Sequence, residues 1–177
     1  MFRWLVVWAV TMLGVWGVQK EYLLIHAPLL PKMAMMQYGF EKSVQNATIC
    51  VAVLYDTVDE SMAHFMVDAI QASAKGNYRV CARMVTYDAL KEGDVNAELF
   101  YLMPTTAKAM RDAIAHLATQ RRMSFAYDWH DLAYGATMSV RTLAHVKPIV
   151  NLEAAQANRI ALRALLLKIS DIYGQHE

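Results

Sequence analysis

The sequence predicts an α/β fold: a single layered domain with a mostly parallel sheet flanked by helices, ending in a β-ribbon plus a helix. Three observations predict it. Short apolar, β-branched runs alternate along the chain with segments of helical periodicity, the pattern of a sheet covered on both faces. The 177 residues are one domain's worth, enough to bury a core of their own. With 56% hydrophobic and 19% charged residues, the chain is too apolar to stay disordered.

The opening stretch, MFRWLVVWAVTMLGVWGVQKEY, stands apart. Arg3 precedes an apolar run from Trp4 to Val18, shorter than the ~20 residues a helix needs to cross the hydrocarbon core. A charged start and apolar middle fit a signal peptide over residues 1–18, with a short membrane anchor as the alternative. Either is expected to place the folded part, residues 21–177, outside the cytoplasm.

Residues 21–42 are apolar, but Pro28 and Pro31 break any helix there. ATICVAVLY (47–55) reads as a buried strand. A helix follows, with Thr57 and Glu60 at capping-box spacing and Met62, Phe65, Met66, Ala69 and Ile70 along one stripe. Gly76 is its expected end. YRVCARMV (78–85) and AELFYLM (97–103) read as the second and third strands. PTTAKAMRDAIAHLATQRR is a helix with Met110, Ile114 and Leu117 on one side and arginines at its end, where cations suit the macrodipole. MSFAY (123–127) is the fourth strand, and ATMSVRTLAHVKPIVN a ribbon turning near Thr142. LEAAQANRIALRALLLKISDIYG closes the chain as a helix, with Asn158 as a place to break. Leu152, Ala155, Leu162, Leu166, Ile169 and Tyr173 give it a buried face.

FAYDWHDLAYG (125–135) joins the fourth strand to the ribbon and gathers Asp128, His130 and Asp131. A metal-dependent enzyme built on this loop would need further ligands, and no partner motif has the spacing to supply them. Asp and Gly are ordinary turn-makers, so the loop reads as a turn on the sheet's rim. Glu60, His64 and Asp68 share a helix face, which reads as solvated. Met33, Met35 and Met36 could offer thioethers to copper, but twelve methionines spread over every element read as core filler. There is no Gly-x-Gly-x-x-Gly, P-loop, Gly-x-Ser-x-Gly or His-Glu-x-x-His. No cofactor is implied and an enzyme is not expected. A net charge of +1 without a basic stripe sets nucleic acid aside. Cys50 and Cys81 lie in strand-like runs and form either one disulfide or two buried thiols.

PIVNLEAAQANRIALRALLLKIS resembles the closing strand, Asn-Leu-Glu/Asp-Ala-Ala and helix of the YfiR-like periplasmic proteins. EYLLIHAPLLPKMAMMQY is similar to that family's leading helix, with Tyr38 where a tryptophan is usual. TICVAVLYD, KGNYRVCARMV, AELFYLMP and MSFAYDWHDLAYGATMSV resemble its successive strands, in order, over roughly residues 21–173. There are departures. Gly135-Ala136 replaces a Gly-Gly, Asn158-Arg159-Ile160 replaces an Ala-Gly-Leu break, and Ala161 stands where a basic residue is usual. The resemblance implies a regulator that represses a membrane-bound diguanylate cyclase or histidine kinase by contacting its periplasmic domain. A homodimer is compatible with it. It makes Cys50 and Cys81 redox candidates, and Glu153, Arg159 and Arg163 candidates for partner or ligand contacts. The alternative is a periplasmic small-molecule-binding domain that feeds a transporter or sensor.

Overall fold

TICVAVLY is apolar almost throughout because its strand, β1 (Thr48–Tyr55), is covered on both sides. Val51, Val53 and Tyr55 face one helical layer while Ala52 and Leu54 face the other. The structure is a computed structural model that describes residues 18–43, 47–74, 78–93, 95–142 and 145–174.

The described elements are α1 (Lys20–His26), α2 (Leu30–Ala34), α3 (Phe40–Ser43), β1, α4 (Glu60–Ala72), β2 (Arg79–Thr86), α5 (Tyr87–Glu92), β3 (Leu99–Leu102), α6 (Ala107–Thr119), β4 (Met123–Ala126), β5 (Met138–Thr142), β6 (Val146–Val150), α7 (Leu152–Ala157), α8 (Ala164–Ile169) and β7 (Asp171–Ile172). They form one seven-stranded sheet in the order β2-β1-β3-β4-β5-β6-β7. β1 to β5 run parallel, β6 runs against β5, and β7 runs parallel to β6.

The connections explain the layers. β1 leads through α4 to β2 on one side of it, whereas β2 leads through α5 to β3 on the other. Right-handed crossovers in opposite directions put their helices on opposite faces. α1, α2, α4, α7 and α8 therefore share a core with Val51, Leu99, Tyr101 and Phe125. α5 and α6 share one with Leu54, Phe100 and Leu102. Met66 and Ile70 on α4 are fully buried, each contributing roughly 1.5–3 kcal/mol.

Several expectations need correction. Thr57 and Glu60 do not cap α4: a 3₁₀ turn over Thr57–Asp59 precedes it, and no side chain caps its first turn. Gly76 lies outside the described residues. The closing helix is two short helices, α7 and α8, followed by a small strand, and Ile169 is exposed instead of facing the core. The left-handed residue at the break is Arg159 (φ 55). α5 and β7 were not expected. The prolines do divide the leading segment, with Pro31 in the first turn of α2, where its missing N–H costs no helical bond.

Candidate functional site

Cys50 and Cys81 are register partners on β1 and β2, with Cα atoms 4.6 Å apart, and are joined by a disulfide. Glu98 holds Cys50 from the other side: the Cys50 N–H donates to Glu98 Oε2 at 2.6 Å, and the Glu98 N–H donates to the Cys50 carbonyl at 2.9 Å. β2 is the rim strand of the sheet, so the bridge ties that rim to the interior strand beside it. Disulfides persist in oxidising compartments, which suits an extracytoplasmic chain. Among the described residues no helix is long and apolar enough to cross a membrane. Residues 1–17 of the expected leader lie outside them.

The Asp-Trp-His-Asp loop is built as a turn. Asp128 Oδ1 accepts the His130 backbone N–H at 2.9 Å and lies 2.6 Å from His130 Nδ1. This capping starts a 3₁₀ helix over Trp129–Tyr134, which ends on Gly135 at φ 97, a conformation glycine adopts without strain. The Trp129 and His130 rings meet at a tilt of 34°, with centroids 3.9 Å apart. Asp131 is half-buried, and burial, then the Asp128 charge, raise its carboxyl to about 6 against a weaker pull from His130. Asp128 and His130 thus engage each other. Among the described residues no group of three His, Cys, Asp or Glu side chains could hold a metal ion.

The strand order reverses between β1 and β3, and in such sheets ligands enter the crevice beyond the strand ends at that point. Here Thr105 Oγ1 donates to Asp56 Oδ2 at 2.6 Å, tying the two strand exits together. Beneath them the buried Tyr87 hydroxyl donates to the Met103 carbonyl at 2.6 Å. Burial and the nearby charges of Asp56 and Asp131 push that phenol well above its ordinary value. Asp59 is raised too, by burial and then by Asp56. Asp56 and Asp59 make this rim acidic, and the Thr105–Asp56 bond spans it.

The closing signature has a structural task. Asn151 Oδ1 accepts the Ala154 N–H at 2.9 Å to cap α7, while its Nδ2 donates to the buried Leu132 carbonyl at 2.9 Å. One asparagine thus fastens the 3₁₀ turn to the final helices. Downstream, the Tyr38 N–H donates to the Ala161 carbonyl (2.7 Å) and the Arg163 N–H to the Met36 carbonyl (2.8 Å). Arg163 also pairs with Glu41, holding that carboxyl below its usual range. Of the three candidate contact residues, Arg163 therefore clasps the leading segment, and Glu153 and Arg159 lie exposed on α7 and just past it. The exposed positions of Glu60, His64 and Asp68 match a solvated helix face, and Met33 is in the core.

One polar pair had no sequence signal. His26, the last residue of α1, is buried, with Nδ1 2.8 Å from Tyr101 Oη and ring contacts to Phe125 and Tyr127. Its Nε2 has no hydrogen-bond partner among the described residues, and burial lowers its pKa to about 4. A lone histidine in an apolar helix names no partner 75 residues away.

No protein-family model matches the chain, and no curated protein matches it. Among solved structures it is similar to a conserved domain protein from Vibrio cholerae O1 biovar eltor, at 12% identity and a TM-score of 0.60. That match covers 85% of this chain and 59% of the other. It is also similar to the ABC domain from Streptococcus pneumonia in complex with L-Trp, at 14% identity and a TM-score of 0.53, covering 79% and 60%. This chain thus spans about three-fifths of the length of the solved chains it matches. Likeness at such identity shows the fold alone: an α/β layered sheet.

Proposed function

We propose that this chain is a periplasmic regulatory binding protein, YfiR-like in kind, that represses a membrane-bound diguanylate cyclase or sensor kinase by contacting its periplasmic domain. The observation that carries the reading is the disulfide across β1 and β2, which suits an exported chain and stiffens one rim of the sheet. The resemblance at Asn151-Leu152-Glu153-Ala154-Ala155 lends support, because that stretch acts as a unit holding the final helices to the sheet. A repressor works by favouring the inactive state of its partner; each tenfold preference shifts the balance by about 1.4 kcal/mol. Glu153 and Arg159 are the proposed polar contacts, with Arg163 holding the segment that presents them. Reduction of the bridge frees β2 and weakens the binding conformation.

The test is deletion of the gene, followed by complementation with the wild type and with Cys50→Ala/Cys81→Ala. Cyclic-di-GMP is measured, and partners are recovered from solubilised inner membranes. Deletion is expected to raise cyclic-di-GMP or kinase output, and wild-type complementation to restore it. Unchanged signalling with no membrane protein recovered would refute the proposal.

A second reading, a small-molecule-binding domain, is favoured by one observation: a structural neighbour was solved with L-Trp bound. A ligand that raises the melting temperature while leaving partner binding unchanged would favour it.

A further inference from the structure

The helical layer on the α6 side stops at the 3₁₀ turn Trp129–Tyr134, and a cavity of about 210 Å³ lies beyond it, against the far end of the sheet. Its walls include Trp129, Ile149, Ile172 and Tyr173, with Arg141 and Asp171 as its charged members. A cavity of about 150 Å³ is enough for benzene, so this one has room for a ring-sized body with a polar group.

With Lys147 beside it, the cavity has two cations and one carboxylate around it. Arg141 on β5 stands directly opposite Lys147 on β6, a like-charged cross-strand pair that destabilises a ladder unless an anion answers it. Asp171 pairs with Lys147. Arg141 instead lies over the Trp129 indole, 4.5 Å from its centre, and its Nε is buried with no hydrogen-bond partner among the described residues. Stacking on a ring fixes a guanidinium in orientation while leaving its planar fork of donors free, the arrangement that takes a carboxylate in two parallel bonds.

We infer that this cavity is a binding site for a small organic carboxylate, whose anionic group is held by Arg141 and whose apolar body rests against Trp129, Ile149 and Tyr173. The site lies away from the β1/β3 crevice and does not depend on any membrane partner.

The test is isothermal titration of the disulfide-intact chain with benzoate, benzamide and inorganic phosphate. Benzoate is expected to bind saturably at one site. Benzamide, of the same shape without the charge, is expected to bind at least about tenfold more weakly, as is benzoate to Arg141→Gln. Arg141→Lys keeps the charge but loses the planar fork, and is expected to fall between them. The benzamide comparison uses only the wild type, so it holds if a variant misfolds. Four results would overturn the inference: no saturable benzoate binding, equal binding of benzamide, undiminished binding by a folded Arg141→Gln chain, or phosphate binding as tightly as benzoate.

Discussion

Replacing both cysteines with alanine tests the role given to the disulfide. Cys50 and Cys81 are 31 positions apart, and closing a loop of that length removes conformational entropy from the unfolded chain worth about 3.7 kcal/mol. That is a large share of a stability on the order of 5–15 kcal/mol. Both positions are half-buried, so the lost sulfur contacts add little beyond the entropy. With a urea dependence of about 2 kcal/mol per molar, the unfolding midpoint should fall by about 2 M. The slope should rise slightly, because an uncrosslinked unfolded chain exposes more surface. The assay is urea denaturation followed by circular dichroism, with and without a phosphine reductant. Wild type under reductant should behave like the double variant, which should itself ignore the reductant. A midpoint shift below about 0.5 M, or wild type unmoved by reduction, would refute the reasoning.

Three further predictions follow from the packing. Asn151→Ala removes a cap worth about 1 kcal/mol and leaves the buried Leu132 carbonyl unanswered, for a total loss of about 2–3 kcal/mol; Asn151→Asp keeps the cap, so thermal melts of the two separate the contributions. His26 titrates near 4 when folded against 6.5 when free, so the unfolded chain takes up its proton first. The stability it permits is whole above pH 6.5 and declines by about 3 kcal/mol as pH falls to 4, and His26→Phe should flatten that part of a melting-temperature profile. Asp131 has the opposite sign: its carboxyl is raised to about 6, so its charged form costs stability above that pH and the cost fades on acidification. Asp131→Asn should raise stability at pH 8 by up to about 1 kcal/mol given its half-exposed side chain, seen as a higher melting temperature, with little effect at pH 4.

The sheet was legible where burial on both faces left an unbroken apolar run. β1, β3 and β4 carry that signature, and their expected limits differ from the structure by one or two residues. α5 escaped notice because only Tyr87 and Leu90 in it are buried, too few to show a period, although Thr86 caps it through the Ala89 N–H. The closing segment misled for the opposite reason. Its alanines, leucines and arginine favour helix, and its period runs on through the break. What interrupts it is tertiary: Gln37 bridges to Leu162, and the leading segment takes the backbone bonds of Ala161 and Arg163. Cys50 and Cys81 could be named as a pair, but bridging depends on strand register, which only the assembled sheet fixes. Arg141 drew no notice as one charge in a ribbon. Its meaning comes from Lys147 opposite it and Trp129 above it.

The two margins of the sheet are unequal. At one side β2 offers eight residues of backbone, covered among the described residues in part by Gln71 reaching the Ala82 carbonyl at 3.3 Å. At the other, β7 offers two. Strand-to-strand adhesion between molecules therefore has a single full-length docking margin per copy, and two copies that meet there use up both. A third would find only a stub too short to hold it. Among the described residues the asymmetry thus favours edge-on pairing over the open-ended stacking from which fibrils grow.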